Sequence, residues 1–475
     1  MGTELLAPLD LAFWHLESEA HPMHLGALAV FSPVPGGPRQ DVLELLRERA
    51  AAVPRLRMRV RDVLLPLGGA AWSTDKDFDV RHHVHRRVLP AGDFMAAATS
   101  LAGDLMERPI ARGLPPWEMY LLEGGSGDDP FAVLVKLHHA LADGMRAVAI
   151  GAGIFDEIAT VASRRATAVR RTPVPPRSWM PGPREVAGLA RGRLEEVGRA
   201  LGVGASVVRA SRLAPGGSGA LAAGSSGTRR LVTADLDAEA VQLVRRAEGG
   251  TANDVLLAVV AGALRRWMTG RGEELPGDPR ALVPVSRRRP GGAAQNGNRL
   301  SAYLLGLPVS EPDARRRLLA VRVAMERNKA AGPLKGAGAV AVLADRLPPL
   351  AHRFGAPLAG NAARMLFDLL VTSVPLPRAE LSLGGCPLRS LYPMAPLARG
   401  QSLAVALSTY GGRVQVGLVA DGRALPDLEL LAAAMTDELA ELQELAARGE
   451  RSVLARTRSG GSEGVIGLMA GEERS

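Results

Sequence analysis

At 475 residues the chain exceeds the roughly 250 to 300 residues at which a single hydrophobic core stops growing, so two domains are expected. Hydrophobic residues at 47% and charged residues at 23% exclude a disordered chain and describe one that buries a sizeable core. The net charge of +9 is concentrated, because thirteen arginines and three acidic residues (Glu185, Glu195, Glu196) lie between Arg164 and Ala234 and leave the remainder near neutral.

The N-terminus carries Glu4 and Asp10 and lacks a basic segment followed by an apolar one, so no signal peptide is expected. Leu25 to Phe31 reads as a strand, Gln40 to Ala52 as a helix and Phe131 to Leu137 as a buried strand, an α/β texture for an N-terminal domain over 1–160. Within it, Arg81-His82-His83-Val84-His85-Arg86 offers metal-ligand residue types. The flanking arginines repel a cation and strand alternation sends His82 and His83 to opposite faces, so no metal is expected there.

The strand at 131–137 runs straight into His138 and His139, after which Asp143-Gly144 turns the chain into a helix with Val148, Gly151, Phe155 and Ile158 on one face. Strand ends are where α/β proteins present side chains to a ligand crevice, and a neutral imidazole there can accept a proton at cellular pH. A single histidine on an apolar strand is more often a satisfied core residue.

From 161 to 229 the composition changes. Pro173, Pro175, Pro176, Pro181 and Pro183 open a linker that closes on the Gly/Ser-rich stretch from Pro215 to Gly227. Between them Val186, Leu189, Ala190, Leu194, Val197 and Leu201 recur at helical spacing, with Arg184, Arg191 and Arg199 off that stripe, which predicts an amphipathic basic helix. Two readings stand: a solvated crossover in an arginine-rich protein, or a surface that docks on anionic lipid. Nucleic acid fits less well, since only Trp179 lies among these arginines and single-strand binders interleave stacking rings with charge.

Beyond the linker, Arg230 to Leu236 reads as a strand, Thr251 to Met268 as a helix and Arg280 to Val285 as a strand, opening a second α/β domain over 230–450; a mobile tail is expected over 451–475. Thr251-Ala-Asn-Asp254 has capping-box spacing. The lone cysteine, Cys386, cannot close an intramolecular disulfide or a zinc cluster, so a reducing cytoplasm fits. Apolar runs such as Leu256 to Leu264 end well before the roughly 18 to 20 residues needed to cross a bilayer.

His138-His139-x-x-x-Asp143-Gly144 resembles the signature of the CoA-dependent acyltransferase superfamily, which includes chloramphenicol acetyltransferase and peptide-synthetase condensation domains. Further matches resemble one branch of it, the bacterial wax ester synthase/diacylglycerol acyltransferases. They are Pro8-Leu9-Asp10, Phe13, Glu17 and Pro22-Met23-His24-Leu25-Gly26 near the start; Pro54-Arg55-Leu56-Arg57, Trp72, Phe78-Asp79-Val80 and Leu89-Pro90; Pro115-Pro116-Trp117-Glu118 where the family has Pro-Leu-Trp-Glu; Asn253-Asp254; Val283-Pro284-Val285-Ser286 with Gly297-Asn298; and Tyr392-Pro393 with Pro396 and Gly400. Thr372-Ser373-Val374-Pro375 stands where the family more often has Asn before Val-Pro.

The resemblance implies two chloramphenicol-acetyltransferase-like α/β domains with mixed sheets and an active-site tunnel between them. It implies His139 as general base, His138 as a structural neighbour, Asp143 holding the motif by pairing with an arginine, Gly144 permitting the turn, and Trp117, Asn253, Asp254 and Ser373 near substrate. Acyl-CoA would be the co-substrate, with no metal or redox cofactor and no acyl-enzyme. Diacylglycerol or a long-chain alcohol would be the acceptor, and the protein would sit peripherally on the inner face of the cell membrane or on lipid inclusions. A relative acylating a sugar, polyketide or peptide hydroxyl, or a non-catalytic lipid-surface protein, stays open at this point.

Overall fold

The computed structural model describes residues 4–34, 41–64, 67–125, 129–142, 144–157, 221, 226–275, 277–286, 300–331, 353, 366–377 and 379–460. In chain order the first half contains β1 (Glu4–Leu5), α1 (Pro8–Leu16), β2 (His24–Phe31), α2 (Val42–Ala52), β3 (Met58–Asp62), β4 (Ala70–Thr74), β5 (Val84–Val88), α3 (Phe94–Glu107), β6 (Trp117–Glu123), β7 (Phe131–His138) and α4 (Gly144–Ala152). The second half contains β8 (Arg230–Asp237), α5 (Ala238–Glu248), α6 (Ala252–Gly270), β9 (Arg280–Ser286), β10 (Leu300–Gly306), α7 (Ala314–Ala331), β11 (Leu369–Val374), β12 (Ser382–Leu383), β13 (Cys386–Met394), β14 (Leu403–Tyr410), β15 (Arg413–Ala420) and α8 (Leu428–Gly460).

Two mixed six-stranded sheets carry the architecture, ordered β12-β13-β2-β7-β6-β5 and β10-β9-β11-β14-β15-β8, beside a small sheet β1-β4-β3. β7 is buried along its whole length, as its near-continuous apolar sequence requires of a strand covered on both faces. β5 pairs with β6 in parallel, and β11 pairs in parallel with both β9 and β14; the other pairings are antiparallel. The expected α/β fold with mixed sheets is what the chain adopts.

One connection is not legible as a boundary in the sequence. β12 and β13 arise in the second half of the chain yet join the first sheet, with Tyr392 opposite Leu28 and Met394 opposite Gly26. The second sheet closes on this crossing strand. A Cβ at Gly417 of β15 would lie 1.9 Å from the Pro393 carbonyl oxygen, so only glycine permits the approach. Tyr392 donates its hydroxyl to Asp235 at 2.9 Å and Ser408 donates to the Leu391 carbonyl at 2.7 Å, tying β13 to β8 and β14.

The second core forms around α6, which is buried on nearly all sides. Against it α8 buries Glu438, whose carboxylate is held by Arg317 at 2.6 Å and Arg266 at 3.1 Å where Gly262 leaves room. A buried charge of this kind persists only because it is paired.

Some local expectations change. His82 closes a 3-10 turn, Val80–His82, instead of standing in a strand; His82 is exposed and His83 buried, so the two still diverge. α8 continues to Gly460, past Arg451 where a mobile tail was expected. The predicted linker helix with Arg184, Arg191 and Arg199 lies outside the described residues, as do Ile158, Gly297-Asn298 and 461–475.

Candidate active site

β7 delivers the two histidines. Alternation sends Val135, Leu137 and then His139 toward a cavity, while Lys136 and His138 are buried on the other side of the sheet. The cavity holds about 360 Å³ and lies where β2, β7 and α4 of the first half face β11 and β13. This is within the usual range for a small-molecule pocket. Among the described residues lining it, His139, Thr372 and Ser373 carry the polar side chains; the rest are aliphatic, aromatic, proline or glycine. Val148, Gly151 and Phe155 line it together, as their spacing predicts, although α4 ends at Ala152 and Phe155 follows it.

His139 is half-buried. Its backbone N–H donates to the Met23 carbonyl at 2.8 Å, and its ring stacks on Phe13 of α1 with centroids 3.9 Å apart and planes at 21°. The stack leaves an edge of the imidazole to meet the cavity.

His138 faces a different environment. Its Nδ1 accepts the Ala140 backbone N–H at 3.0 Å, so in the neutral ring the proton sits on Nε2. That Nε2 lies 3.4 Å from Glu17 Oε1, and His24, opposite His138 across the β2–β7 ladder, brings its own Nε2 to 3.1 Å from the same oxygen. Both are ion-pair distances without hydrogen-bond alignment. Arg112 lies 3.6 Å from the other Glu17 oxygen.

Burial works against ionisation of Glu17, but interaction with His138 and His24 outweighs it and holds the carboxyl well below the usual carboxylate range. His24 is pushed down to about 4, chiefly by burial and helped by the Lys136 charge, against the pull of Glu17. An ionised carboxylate beside a neutral His24 is therefore the resting arrangement at neutral pH. Farther along the same face Lys136 donates to the Leu105 carbonyl at 2.9 Å and to Glu118 at 3.1 Å.

The segment that follows α4 is anchored at Asp156. Asp156 accepts the backbone N–H groups of Gly384 and Gly385 at 3.0 and 2.8 Å, receives the Ser382 hydroxyl at 2.8 Å and pairs with Arg49 at 2.6 Å. Gly384 and Gly385 take left-handed φ values of 60° and 76° in the β12–β13 turn, which lets both N–H groups point at one carboxylate. The wall supplied by α4 is thereby tied to the strand that crosses between the sheets.

Of the residues singled out in the sequence, His139 and Ser373 line the cavity and His138 adjoins it from behind. Gly144 begins α4, and Asp143 lies outside the described residues. Trp117 is fully buried in the first core, donating its indole N–H to the Leu56 carbonyl at 2.7 Å and stacking on His83 at 4.6 Å; it is not part of the cavity lining. Asn253 and Asp254 are also absent from the lining. Asp254 completes the capping box with Thr251, accepting the Thr251 backbone N–H at 2.8 Å and hydroxyl at 2.7 Å. Phe13, Glu17 and His24 were legible as parts of an N-terminal pattern, but their convergence on the histidines was not, because sequence carries no strand register. Thr372 had no signal of its own.

Among the described residues no helix is long and apolar enough to cross a membrane, and no cluster of three or more His, Cys, Asp or Glu forms a metal site.

Comparison with known proteins identifies the family. The profile of the wax ester synthase/diacylglycerol acyltransferase catalytic domain matches residues 6–256, and that of the family's C-terminal domain matches residues 296–443. The chain is 32% identical over 462 residues to a Mycobacterium tuberculosis protein named probable diacyglycerol O-acyltransferase tgs1, covering 93% of this chain and 96% of that protein. It is 29% identical over 459 residues to tgs2 of the same organism, covering 93% and 99%. Among solved structures, the wax ester synthase/diacylglycerol acyltransferase from Marinobacter aquaeolei superposes with a TM-score of 0.67 at 25% identity, covering 93% of this chain and all of that one. A condensation domain of the CDA synthetase, at 19% identity and a TM-score of 0.58, shares the fold. With both domain profiles matched and an aligned relative above 30% identity along nearly its whole length, the chain belongs to the wax ester synthase/diacylglycerol acyltransferase family of acyltransferases.

Proposed function

We propose that the protein transfers a long-chain acyl group from acyl-CoA to the hydroxyl of diacylglycerol or a long-chain alcohol, with His139 as general base. The observation that carries this is the position of His139, the one titratable side chain among the described residues lining a largely apolar cavity. His139 takes the acceptor proton as the alcohol oxygen attacks the thioester carbonyl; the C–S bond then breaks and the proton passes to the departing sulfur, leaving ester and free CoA. General-base help contributes roughly 10²- to 10⁴-fold, and holding both substrates in line contributes more. The step balances without a metal, a redox group or an acyl-enzyme.

Thr372 and Ser373 are the polar groups we assign to contact with the acceptor head. Asp143 would hold the turn by pairing with an arginine. Trp117, Asn253 and Asp254 would act by packing and capping. We also assign the basic segment with Arg184, Arg191 and Arg199 to an anionic lipid surface on the inner side of the membrane or on lipid inclusions. Replacing all three by Gln is expected to weaken vesicle binding at low salt, and unchanged binding would leave that segment a plain crossover.

Purified protein offered labelled palmitoyl-CoA with diacylglycerol, hexadecanol and trehalose in parallel is expected to esterify one or both lipids, with His139→Ala losing at least about 100-fold. Ester on trehalose alone, or full activity in His139→Ala, would overturn the reading.

A further inference from the structure

Phe13 of α1 is half-buried, yet it belongs to none of the hydrophobic cores formed by the described residues, and it is not among the residues lining the cavity. Packing a core and touching substrate are the two ordinary uses of a phenylalanine beside an active site, and neither accounts for its place. What its ring does meet is the imidazole of His139, face to face, with centroids 3.9 Å apart and planes at 21°.

The neighbours of Phe13 along α1 are all held. Leu11 and Trp14 pack into the first core, His15 Nε2 lies 3.2 Å from the Gly68 carbonyl oxygen, and Glu17 closes on His24 and His138 at 3.1 and 3.4 Å. Successive helical residues point about 100° apart, so Phe13 and Trp14 reach the two histidines that alternation sends to opposite sides of the first sheet. Trp14 meets His138 at 5.1 Å with the planes at 62°, whereas Phe13 offers its face to His139. One short helix thus treats the two imidazoles differently: a carboxylate stands beside His138 and an aromatic face lies against His139.

The difference matters when charge moves. On taking the acceptor proton His139 becomes an imidazolium at the edge of a largely apolar cavity, where a cation is poorly solvated. The face of an aromatic ring is negative and attracts a cation lying within about 6 Å of its centroid. A neutral imidazole gains much less from the same face, so the contact favours the transition state over the bound ground state.

We propose that Phe13 is a positioning residue for acyl transfer, holding the plane of His139 and stabilising its imidazolium as the acceptor proton arrives. This inference rests on His139 as general base and adds to it a group that lies outside the substrate cavity.

Because Phe13 does not line the cavity, its removal should appear in kcat and leave KM unchanged for both substrates. With the full chain, palmitoyl-CoA and hexadecanol, Phe13→Leu keeps an apolar side chain without a π face and is expected to lower kcat by roughly 5- to 30-fold. Thermal melting checks that the variant is folded.

A second series keeps the shape of the ring and removes dependence on that variant. Phenylalanine carrying one, two or three ring fluorines, introduced at position 13 by codon suppression, weakens the negative face stepwise with little change in bulk. The logarithm of kcat is expected to fall in proportion to the number of fluorines, a graded response that packing alone would not produce. A flat fluorine series, parental kcat in Phe13→Leu, or a loss confined to KM would overturn the inference. His139→Ala, assayed beside them, separates it from the reading on which it rests: an active His139→Ala variant sinks the base itself, whereas an inactive one with a flat fluorine series sinks the role of Phe13 alone.

Discussion

Glu17 and His138 meet behind the reaction centre, with Oε1 of the carboxylate 3.4 Å from Nε2 of the imidazole and the Ala140 N–H on the opposite ring nitrogen. The Ala140 N–H thereby selects the Nε2-protonated tautomer, and the Glu17 charge beside that nitrogen steadies the turn from which His139 projects. Glu17→Gln is expected to lower kcat by roughly 10- to 100-fold with KM changed little, since a shift near 1 Å in a reacting group carries a penalty of that size. Equal losses in kcat and in folding stability, with a normal kcat in the fraction that folds, would reduce Glu17 to a structural role.

Acid should loosen the same cluster. His24 has its pKa lowered to about 4 in the folded protein from 6.5, so between those values the unfolded chain binds more protons and stability falls as pH drops through that window. Glu17, also lowered by folding, extends the loss below its unfolded value of 4.5. Taken alone, His24 contributes at most about 3 kcal/mol. Urea unfolding of the parent and His24→Gln at pH 7, 6, 5 and 4.5 should show a flatter acid limb in the variant, and parallel limbs would refute the assignment.

Gly151 tests whether the cavity holds the acyl chain. It lines the cavity from α4, and a Cβ there would meet nothing within 4 Å. Gly151→Ala is expected to be neutral or to stabilise by up to about 1 kcal/mol through helix propensity. Gly151→Phe should shift the preferred acyl-CoA toward shorter chains, read as the ratio of kcat/KM for octanoyl- and palmitoyl-CoA. An unchanged ratio would place the acyl chain elsewhere.

At the crossing strand the expectation is thermodynamic. Gly417→Ala puts a methyl group 1.9 Å from the Pro393 carbonyl oxygen, with backbone on both sides and no flexible side chain to yield. Destabilisation of about 3 kcal/mol or more is expected in chemical denaturation. A change below about 0.5 kcal/mol would mean that the two strands separate more easily than their packing indicates.

Asp254 separates two roles that share one position. As a capping residue it should lose about 1 kcal/mol of stability on replacement by Ala, with kcat nearly unchanged. A large loss of kcat at normal stability would return it to the substrate side.

The sequence by itself determined the elements around the histidines and the family. The apolar run of β7, the turn after it and the stripe of Val148, Gly151 and Phe155 are local patterns, written at periods of two and near four, so no partner strand is needed to read them. Convergence was a different matter. Trp117 reads as a substrate contact beside its motif, yet its ring packs among core side chains, because the face a strand turns inward depends on what covers it. The meeting of Glu17, His24 and His138, and the passage of β13 into the first sheet, depend on strand register and long-range closure. Those are set by the total burial that the whole chain achieves, a quantity no short window of residues contains.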